Sequence, residues 1–369
     1  MENKVPSLLI TKLVCRNFRC FPLLALAFDN PYIIIEGSNG SGKTSLLEAM
    51  HYACFGRSFR THNIRELLSM KSENAAVTVM LEQEKFTHTV YRSFSLQERL
   101  VKINDKAATT SRDILDVFRI ITLTEGDMAL MQDAPEVRRL FLDQILFFLD
   151  PTYTTHLQFL KHTVSSRNAL ISQGKSQNND LFELISKQLW DCSLIIANQR
   201  TKILKEIESI ILQYIGIFFS HDTALQCSYY IKNRDAVSYD AWHQLYAASI
   251  FSLENHRYKR TLFGAHLDDI HVYHNEKLVR NYSSRGQQKL FLTLFKIAQL
   301  ALITSRNKSA VLLIDDFILD FDSINLERLL SILNSLGTQL VFTSPLPTTM
   351  LNSFPWHVKP QIIRLDDLN

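Results

Sequence analysis

The chain has few of the features that mark secreted, membrane or metal-binding proteins. Its five cysteines are odd in number, form no C-x-x-C pair and have no histidine partner at metal-ligand spacing, which argues against a disulfide framework or a zinc site. No apolar run of about 18 residues occurs, and the first residues lack the regions of a signal peptide. We therefore expect reduced thiols, no membrane association and a cytoplasmic location.

Strong net charge and internal repeats are also missing. A net charge of +3 at pH 7 neither requires nor excludes a nucleic-acid partner. No repeat of roughly 20–50 residues is evident, so a solenoid is not indicated. The content of 46% hydrophobic and 21% charged residues is typical of a globular protein, and 369 residues exceed the usual size of one core. We expect one large domain or two linked domains.

Glycine is rare as well, yet its distribution indicates a phosphate site. Three of the ten glycines fall in the first six positions of the stretch GSNGSGKT. This stretch follows the apolar run YIII and precedes a helix-like segment. This stretch matches G-x-x-x-x-G-K-[ST] in strand, loop, helix order, where backbone N–H groups and a helix N-terminus face phosphate oxygens. It predicts a purine triphosphate with Mg²⁺, bound by Gly37, Ser38, Asn39, Gly40, Ser41, Gly42, Lys43 and Thr44.

Two carboxylates follow a second apolar run. VLLIDD, residues 311–316, predicts a buried strand that ends in Asp315 and Asp316. Lys43 would reach the β- and γ-phosphates, while Thr44 and Asp315 would hold Mg²⁺. Asp316 would then be the base that polarises the attacking water. A buried strand that runs into an acidic turn is the alternative interpretation.

The order of predicted elements places a helical insertion inside an α/β domain. Alternation in residues 75–95 and around Asn104 predicts two hairpins, which form an antiparallel layer beside the nucleotide-binding strand. Helical periodicity then runs from about residue 133 to 260, with a break at 172–180, before strand patterns return. We predict a nucleotide-binding head of residues 1–130 and 261–369, and an arm of residues 131–260.

The carboxyl half also has the motif order of ABC-type ATPases. SSRGQQ precedes the acidic strand as the signature motif does in that superfamily, where its serine and glycine cap the γ-phosphate held by the opposite subunit. Ser284, Gly286 and Gln287 are the candidates, and an N-cap with a helix start is the alternative. Asp322 has the spacing of the D-loop. Thr343 stands where transporter subunits usually carry histidine, which points away from transporters.

These motifs together resemble the RecF family, over nearly the whole chain and in one sequence order. The matching stretches are NFR (17–19), GSNGSGKTSLLEAM (37–50), GRSFRT (56–61), DAPEVRRLFLD (133–143), RN (167–168), TLFGAHLDDI (261–270), SSRGQQ (283–288) and LLIDD (312–316). The resemblance implies an α/β fold: an ABC-type P-loop ATPase head with an antiparallel β layer and an inserted α-helical arm domain. Departures at Ala265, Leu267, Arg285 and Gly126 concern the rate of hydrolysis more than nucleotide binding.

The function that the resemblance implies is an ATP-dependent, DNA-binding recombination mediator. Such a protein would form a homodimer on ATP at gapped DNA or at junctions of single- and double-stranded DNA. It would hydrolyse ATP weakly, under DNA stimulation, and would work with RecO and RecR type proteins to load recombinase in DNA repair and replication restart. ATP and Mg²⁺ are the implied cofactors.

Basic residues are the candidates for contacts with DNA phosphates. Arg57, Arg60 and Arg65 form a cluster in GRSFRTHNIREL, and Arg138 and Arg139 are adjacent in the arm entry. For each residue the alternative is a solvated face or a structural salt bridge.

His266, Asp268 and Asp269 form one more cluster of side chains that can bind metals. A turn fixed by Asx hydrogen bonds is favoured here over a second metal site, because a third ligand is missing.

Two other classes of function stay open. The cytosolic ATPase of a transporter would need a smaller helical subdomain, a double-glycine signature and a terminal histidine, none of which the sequence has. A scaffold that binds nucleotide without turnover is the second class. Asp316 in place of the usual glutamate favours slow hydrolysis, because the shorter side chain reaches water less well.

Overall fold

The computed structural model describes residues 6–83, 86–132, 134–175, 180–219, 223–316, 321–345 and 354–368. Packing divides the chain into two compact units: Met1–Met128 with Leu292–Asn369, and Ala129–Phe291. The first boundary lies close to the predicted start of the arm. The predicted head also includes residues 261–291, which pack with the second unit. Which residues act as part of the ATPase head therefore stays a prediction.

The strands of the described chain form three sheets. They are β1 (Leu8–Phe18), β2 (Phe21–Ala27), β3 (Tyr32–Glu36), β4 (Asn74–Gln83), β5 (Phe86–Ser95), β6 (Arg99–Ile103), β7 (Lys106–Ala107), β8 (Ile120–Leu123), β9 (Leu225–Tyr230), β10 (Asp269–His274), β11 (Lys277–Leu278), β12 (Val311–Ile314), β13 (Leu340–Ser344) and β14 (Gln361–Arg364).

The α-helices range from single turns to the long helix α6 of the second unit. They are α1 (Lys43–Phe55), α2 (Ser111–Val117), α3 (Ala129–Gln132), α4 (Pro135–Leu149), α5 (Tyr153–Ser172), α6 (Asp180–Phe218), α7 (Tyr239–Trp242), α8 (Ala248–Leu253), α9 (Val279–Tyr282), α10 (Arg285–Ser305) and α11 (Ser323–Ser335). Single 3₁₀ turns lie at Ile64–Leu67, Glu125–Met128 and Leu365–Leu368, and π-turns at His243–Ala247 and Glu254–Tyr258.

The predicted antiparallel layer is confirmed as a sheet in the order β2-β1-β4-β5-β6-β7. β4 and β5 pair as the first predicted hairpin, and β6 and β7 as the second. Asn104 and Asp105 have φ of 49° and 64°, the left-handed conformation that a tight hairpin turn requires. One face of this sheet is buried, because apolar residues alternate along β1 and β4.

The nucleotide motif lies in a parallel sheet of order β14-β3-β13-β12-β8. Its strands β3, β8, β12 and β13 are buried throughout, as their continuous apolar runs require. The helix α1 is buried on nearly every side and contacts strands of both this sheet and the antiparallel sheet. Because the strands are parallel, the carboxyl ends of β3, β8, β12, β13 and β14 lie at one edge of the sheet.

The second unit is helical, as predicted, but it also contains a sheet. The long helices α5 and α6 pack together, and their ends at Ser172 and Asp180 coincide with the bounds of the predicted loop. The strand β9 pairs with β10, so the sequence interpretation of residues 133–260 as helical missed one strand. A fully buried ion pair, Arg167 with Glu254 at 2.7 Å, joins α5 to the later π-turn among three phenylalanine rings.

Candidate nucleotide site

The backbone between β3 and α1 forms an open cradle. Gly40 and Gly42 have φ of 89° and 103°, which L-residues with side chains rarely adopt. A Cβ on Gly42 would lie 2.7 Å from both Cys20 Sγ and the ring of Phe21, so no side chain fits at this position. Gly42 caps α1 without a side-chain hydrogen bond, which leaves the first N–H groups of the helix free for an anionic ligand.

Polar side chains inside the cradle fit a triphosphate. Lys43 is 5% exposed, and its Nζ donates to the carbonyl oxygens of Gly37 at 2.9 Å and Ser38 at 3.3 Å. The hydroxyl of Ser41 is buried and has no partner among the described residues. A buried polar atom without a partner is costly, and a phosphate oxygen would satisfy it. Asn39 is exposed at the tip of the loop.

The C-terminal segment holds the outer part of this loop. The backbone N–H and the hydroxyl of Ser38 both donate to the carboxylate of Asp366, each at 2.9 Å. Asp366 follows β14, which pairs with β3, so a residue near the end of the chain fixes the first turn of the cradle. The sequence interpretation missed Asp366, because nothing local to its segment indicates a contact with the P-loop.

The carboxylate of Asp315 lies beside the start of α1. Thr44 Oγ1 donates to Asp315 Oδ1 at 3.0 Å, and Thr343 Oγ1 donates to the same oxygen at 2.8 Å. Burial raises the pKa of Asp315 above its usual range, although the hydrogen bonds from Thr343 and Thr44 oppose that effect. A hydroxyl and a carboxylate in contact at a phosphate cradle form a donor set of the kind that Mg²⁺ takes in nucleotide sites.

Thr343 also positions the second carboxylate of the pair. The backbone N–H of Asp316 donates to Thr343 Oγ1 at 2.9 Å, so one hydroxyl bridges the two aspartates. Asp316 has φ of 45°, a strained conformation for a residue with a side chain. Its Oδ1 is buried and has no partner among the described residues, so it can accept a hydrogen bond from water.

The signature candidates lie at the start of α10. Ser284 and Gln287 form a reciprocal cap, in which Ser284 N donates to Gln287 Oε1 at 3.0 Å and Gln287 N donates to Ser284 Oγ at 3.3 Å. Ser284 and Gly286 are exposed, and a Cβ on Gly286 would meet nothing within 4 Å. The helix-start interpretation is therefore correct, and the exposed surface leaves a signature role open.

The D-loop candidate Asp322 has a structural contact of its own. It caps α11, and it accepts hydrogen bonds from the backbone of Asn325 at 3.0 Å and from the side chain at 2.7 Å. Residues 317–320, which complete the predicted D-loop, lie outside the described residues, as does Asp133 of the predicted arm entry. The role of Asp322 at the nucleotide stays a prediction.

The candidate DNA contacts divide into exposed and buried residues. Arg57, Arg60 and Arg65 are exposed. Arg138 is buried, and its guanidinium donates to both carboxylate oxygens of Asp269, at 2.7 and 3.1 Å. For Arg138 the structure therefore supports the alternative interpretation, a structural salt bridge, because a buried and neutralised guanidinium is not available to a phosphate.

Arg139, Asp268 and Asp269 form hydrogen bonds and an ion pair within the second unit. Arg139 Nη1 donates to the carbonyl oxygen of Asp268 at 2.6 Å. Asp268 pairs with the buried Arg234, and Asp269 accepts from the backbone of Ile270 at 2.7 Å as well as from Arg138. Within the part of the chain that the structure describes, no three His, Cys, Asp or Glu side chains come together as a metal site.

Comparison with known proteins matches most of the chain. Residues 9–356 match the family model of the RecF/RecN/SMC N terminal domain. The DNA replication and repair protein RecF of Thermosynechococcus vestitus is 28% identical over 363 residues, which cover 95% of this chain and 93% of that protein. The RecF protein of an Exiguobacterium species is 25% identical over 346 residues, 88% of each chain.

Solved structures share the fold. The recombination mediator protein RecF–ATP of the RecFOR pathway superposes with a TM-score of 0.81 at 23% identity, over 94% of this chain and 95% of that one. An Smc head domain with an extended coiled coil, from Pyrococcus furiosus, reaches a TM-score of 0.55 at 15% identity, over 93% and 91% of the two chains. No helix in the described residues is long and apolar enough to span a membrane.

Proposed function

The chain belongs to the RecF/RecN/SMC N-terminal domain family, as a RecF family protein with an ABC-type ATPase head. From this premise we propose that it is an ATP-dependent DNA-binding recombination mediator. It binds ATP with Mg²⁺, dimerises at gapped DNA or at junctions of single- and double-stranded DNA, and helps to load recombinase in DNA repair and replication restart. RecO and RecR type proteins are its proposed partners. The five unpaired cysteines support a reducing compartment such as the cytoplasm.

One observation carries the nucleotide part of the proposal. The P-loop cradle, Lys43 and the Thr44–Asp315 contact meet at the edge of the parallel sheet where five strands end. Lys43 would hold the β- and γ-phosphates, while Thr44 and Asp315 would hold Mg²⁺, which neutralises charge on the transferred phosphoryl group. Asp316 would orient the attacking water. Measurement of ATP turnover with and without gapped DNA tests the proposal. The proposal requires that gapped DNA increase the turnover.

A nucleotide-dependent scaffold without turnover is the second candidate. It is favoured by Asp316 itself, whose side chain is short and whose backbone is held by Thr343 in a strained conformation. The same turnover measurement separates the two. ATP-dependent dimerisation and DNA binding without any release of phosphate would establish the scaffold.

Removal of the Thr343 hydroxyl tests the bridge between the two aspartates. We expect Thr343→Val to lower ATP turnover by about 10- to 100-fold, because a hydrogen bond to a charged group contributes about 1.5–3 kcal/mol. ATP affinity without Mg²⁺ should change little, since the hydrogen bonds of the Thr343 side chain among the described residues go to Asp315 and Asp316 and not to the P-loop backbone. Thr343→Ser keeps the hydroxyl and should retain most of the turnover. Parental turnover in Thr343→Val would show that the hydroxyl bridge does not support catalysis.

DNA binding by the exposed basic cluster should be electrostatic. We expect the logarithm of affinity for gapped DNA, measured with ATP present, to fall linearly with the logarithm of salt concentration, because bound phosphates release counterions. Joint replacement of Arg57, Arg60 and Arg65 with alanine should reduce that slope by about one unit for each lost phosphate contact. Base sequence should matter little, since the sequence has no readable recognition helix or zinc module.

A second triple variant controls for net charge. Arg257, Lys259 and Arg260 are also exposed and closely spaced, so their replacement with alanine removes the same charge from the second unit. The slope of this variant should equal that of the parent. If both triple variants lower the slope equally, the effect comes from total charge and the cluster has no special role.

A further inference from the structure

One face of α1 has polar side chains that the nucleotide site does not explain. Thr44, Glu48 and His51 are spaced four and three residues apart, so they lie on the same side of the helix. Thr44 contacts Asp315 at the nucleotide site. Glu48 and His51 contact the segment 57–61, which begins directly after the C-cap of α1, Gly56, and carries Arg57 and Arg60.

Glu48 is the centre of this arrangement. Its side chain is fully buried, and Arg19 donates to its two carboxylate oxygens at 2.7 and 2.6 Å. The hydroxyl of Ser58 also donates to Glu48, and Arg60 Nη1 lies 3.7 Å from its Oε2. Arg19, Glu48 and Ser58 come from the three N-terminal motifs NFR, GSNGSGKTSLLEAM and GRSFRT, and a buried carboxylate joins all three.

Ser58 connects this carboxylate to the backbone of the basic segment. Its Oγ accepts hydrogen bonds from the N–H groups of Arg60 at 2.8 Å and Thr61 at 3.1 Å. The conformation of the turn that presents Arg60 therefore depends on a hydroxyl that Glu48 holds from the opposite side.

His51 holds the same segment one turn further along α1. Its Nδ1 lies 3.0 Å from the carbonyl oxygen of Arg57, which can only accept, so Nδ1 carries the hydrogen. Burial lowers the pKa of His51 to about 3, which keeps the ring neutral near pH 7. The rings of Phe55 and Phe59 pack against it at 4.6 and 5.3 Å between centroids.

The far end of the basic segment is tied to the turn that contains Arg19. Arg19 N donates to the carbonyl oxygen of Leu67 at 2.8 Å, and Ser69 N donates to that of Asn17 at 2.8 Å. Ser69 Oγ also donates to the carbonyl oxygen of Arg19 at 2.7 Å. Residues 57–69 are thus held at both ends. Near the start, Ser58 donates to Glu48, and near the end, Leu67 and Ser69 bind the turn that contains Arg19, which also donates to Glu48.

We propose that Glu48 and Ser58 form a joint that couples the nucleotide site to the basic segment 57–65. Thr44 and Asp315 would hold Mg²⁺–ATP at the start of α1, and the helix, as one rigid element, would carry a displacement there to Glu48 and His51. The buried carboxylate cannot lose Arg19 or Ser58 without a large penalty, so the segment follows the helix. The nucleotide then sets the position of Arg57, Arg60 and Arg65. The role of these arginines toward DNA rests on the proposed function.

Ser58→Ala tests the joint while the Arg19–Glu48 ion pair stays intact. In the full-length protein we expect ATP to strengthen binding to gapped DNA by a factor in the usual range of allosteric coupling, about 5- to 150-fold. In Ser58→Ala that factor should fall to within about threefold of one. ATP affinity, measured by calorimetry, should stay within about threefold of the parent, since the hydrogen bonds of the Ser58 hydroxyl among the described residues join Glu48, Arg60 and Thr61 and not the cradle. Where the parent has a coupling factor above one, an equal factor in Ser58→Ala overturns the proposal.

Ser95→Ala is the matched control. The hydroxyl of Ser95 accepts from the N–H groups of Gln97 at 3.1 Å and Glu98 at 3.0 Å, the same pattern as Ser58 in the same unit, but among the described residues it forms no hydrogen bond with α1. This variant should keep the coupling factor of the parent. Loss of coupling in both variants would mean that any loosened turn has this effect, and it would overturn the proposal.

Amide hydrogen exchange gives a measurement that does not involve DNA. Mg²⁺–ATP should slow exchange in residues 57–61 of the parent and of Ser95→Ala, but not in Ser58→Ala. If the parent shows the nucleotide-dependent change yet binds DNA no better with ATP, the proposed function fails and the joint stands. If the parent binds DNA in an ATP-dependent way but Ser58→Ala retains both effects, the joint fails and the proposed function stands.

Discussion

Replacement of Lys43 with alanine should lower ATP affinity by about 10- to 100-fold and reduce turnover to the background. The Nζ of Lys43 is a buried positive charge inside the cradle, where a hydrogen bond between charged groups contributes about 1.5–3 kcal/mol. The backbone N–H groups of the loop stay in place, so weak binding should persist. Titration calorimetry with ATP measures the change directly.

A loss of folding must be separated from a loss of binding in this variant. Lys43 also donates to the carbonyl oxygens of Gly37 and Ser38, so its removal takes one donor from each, although the carbonyl oxygen of Ser38 still accepts from the N–H of Ser41 at 3.1 Å. Thermal unfolding without nucleotide reports that cost, and Lys106→Ala, at an exposed position on β7, controls for the loss of one charge. Parental ATP affinity in a folded Lys43→Ala protein would show that the cradle does not bind the phosphates.

The sequence predicts the parts of the site that depend on neighbouring residues. The P-loop is one continuous stretch, in which glycine supplies the φ angles and the next residues start the helix. The hairpin at Asn104 and Asp105 is equally local, because the turn residues themselves specify it. The strand before Asp315 can be identified from its apolar run alone. The motif order then suggests how these segments come together.

The contacts that join distant segments could not be predicted in this way. Asp366 reaches Ser38 across 328 positions, and Arg138 reaches Asp269 across 131. Neither charge differs in sequence context from a solvated surface residue, which is why Arg138 was a candidate for DNA binding. The role of Thr343 was missed for a similar reason, since its hydroxyl becomes informative only when β13 lies beside β12. Burial and partner identity are set by the tertiary fold, and no local pattern records them.

A complete catalytic site on the proposed mechanism needs two chains. If Ser284 and Gly286 cap a γ-phosphate that the partner's P-loop holds, a symmetric dimer contains two composite sites. Both residues are exposed at the start of α10, as a contact with another molecule requires. ATP then binds the dimer more tightly than the monomer, and the equilibrium shifts by that difference in affinity.

Substitution of Ser284 with arginine should therefore abolish ATP-induced dimerisation and ATP turnover, while the affinity of the monomer for ATP stays within about threefold of the parent, because the mutant's own P-loop is unchanged. Light scattering with and without ATP, together with turnover across a range of protein concentrations, measures both effects.

Ser172→Arg, the same change at an exposed position on α5, should dimerise and hydrolyse ATP as the parent does. Specific activity of the parent that is independent of concentration, in a protein that stays monomeric with ATP, would contradict the composite site. The serine would then act only as the helix cap that its contacts with Gln287 describe.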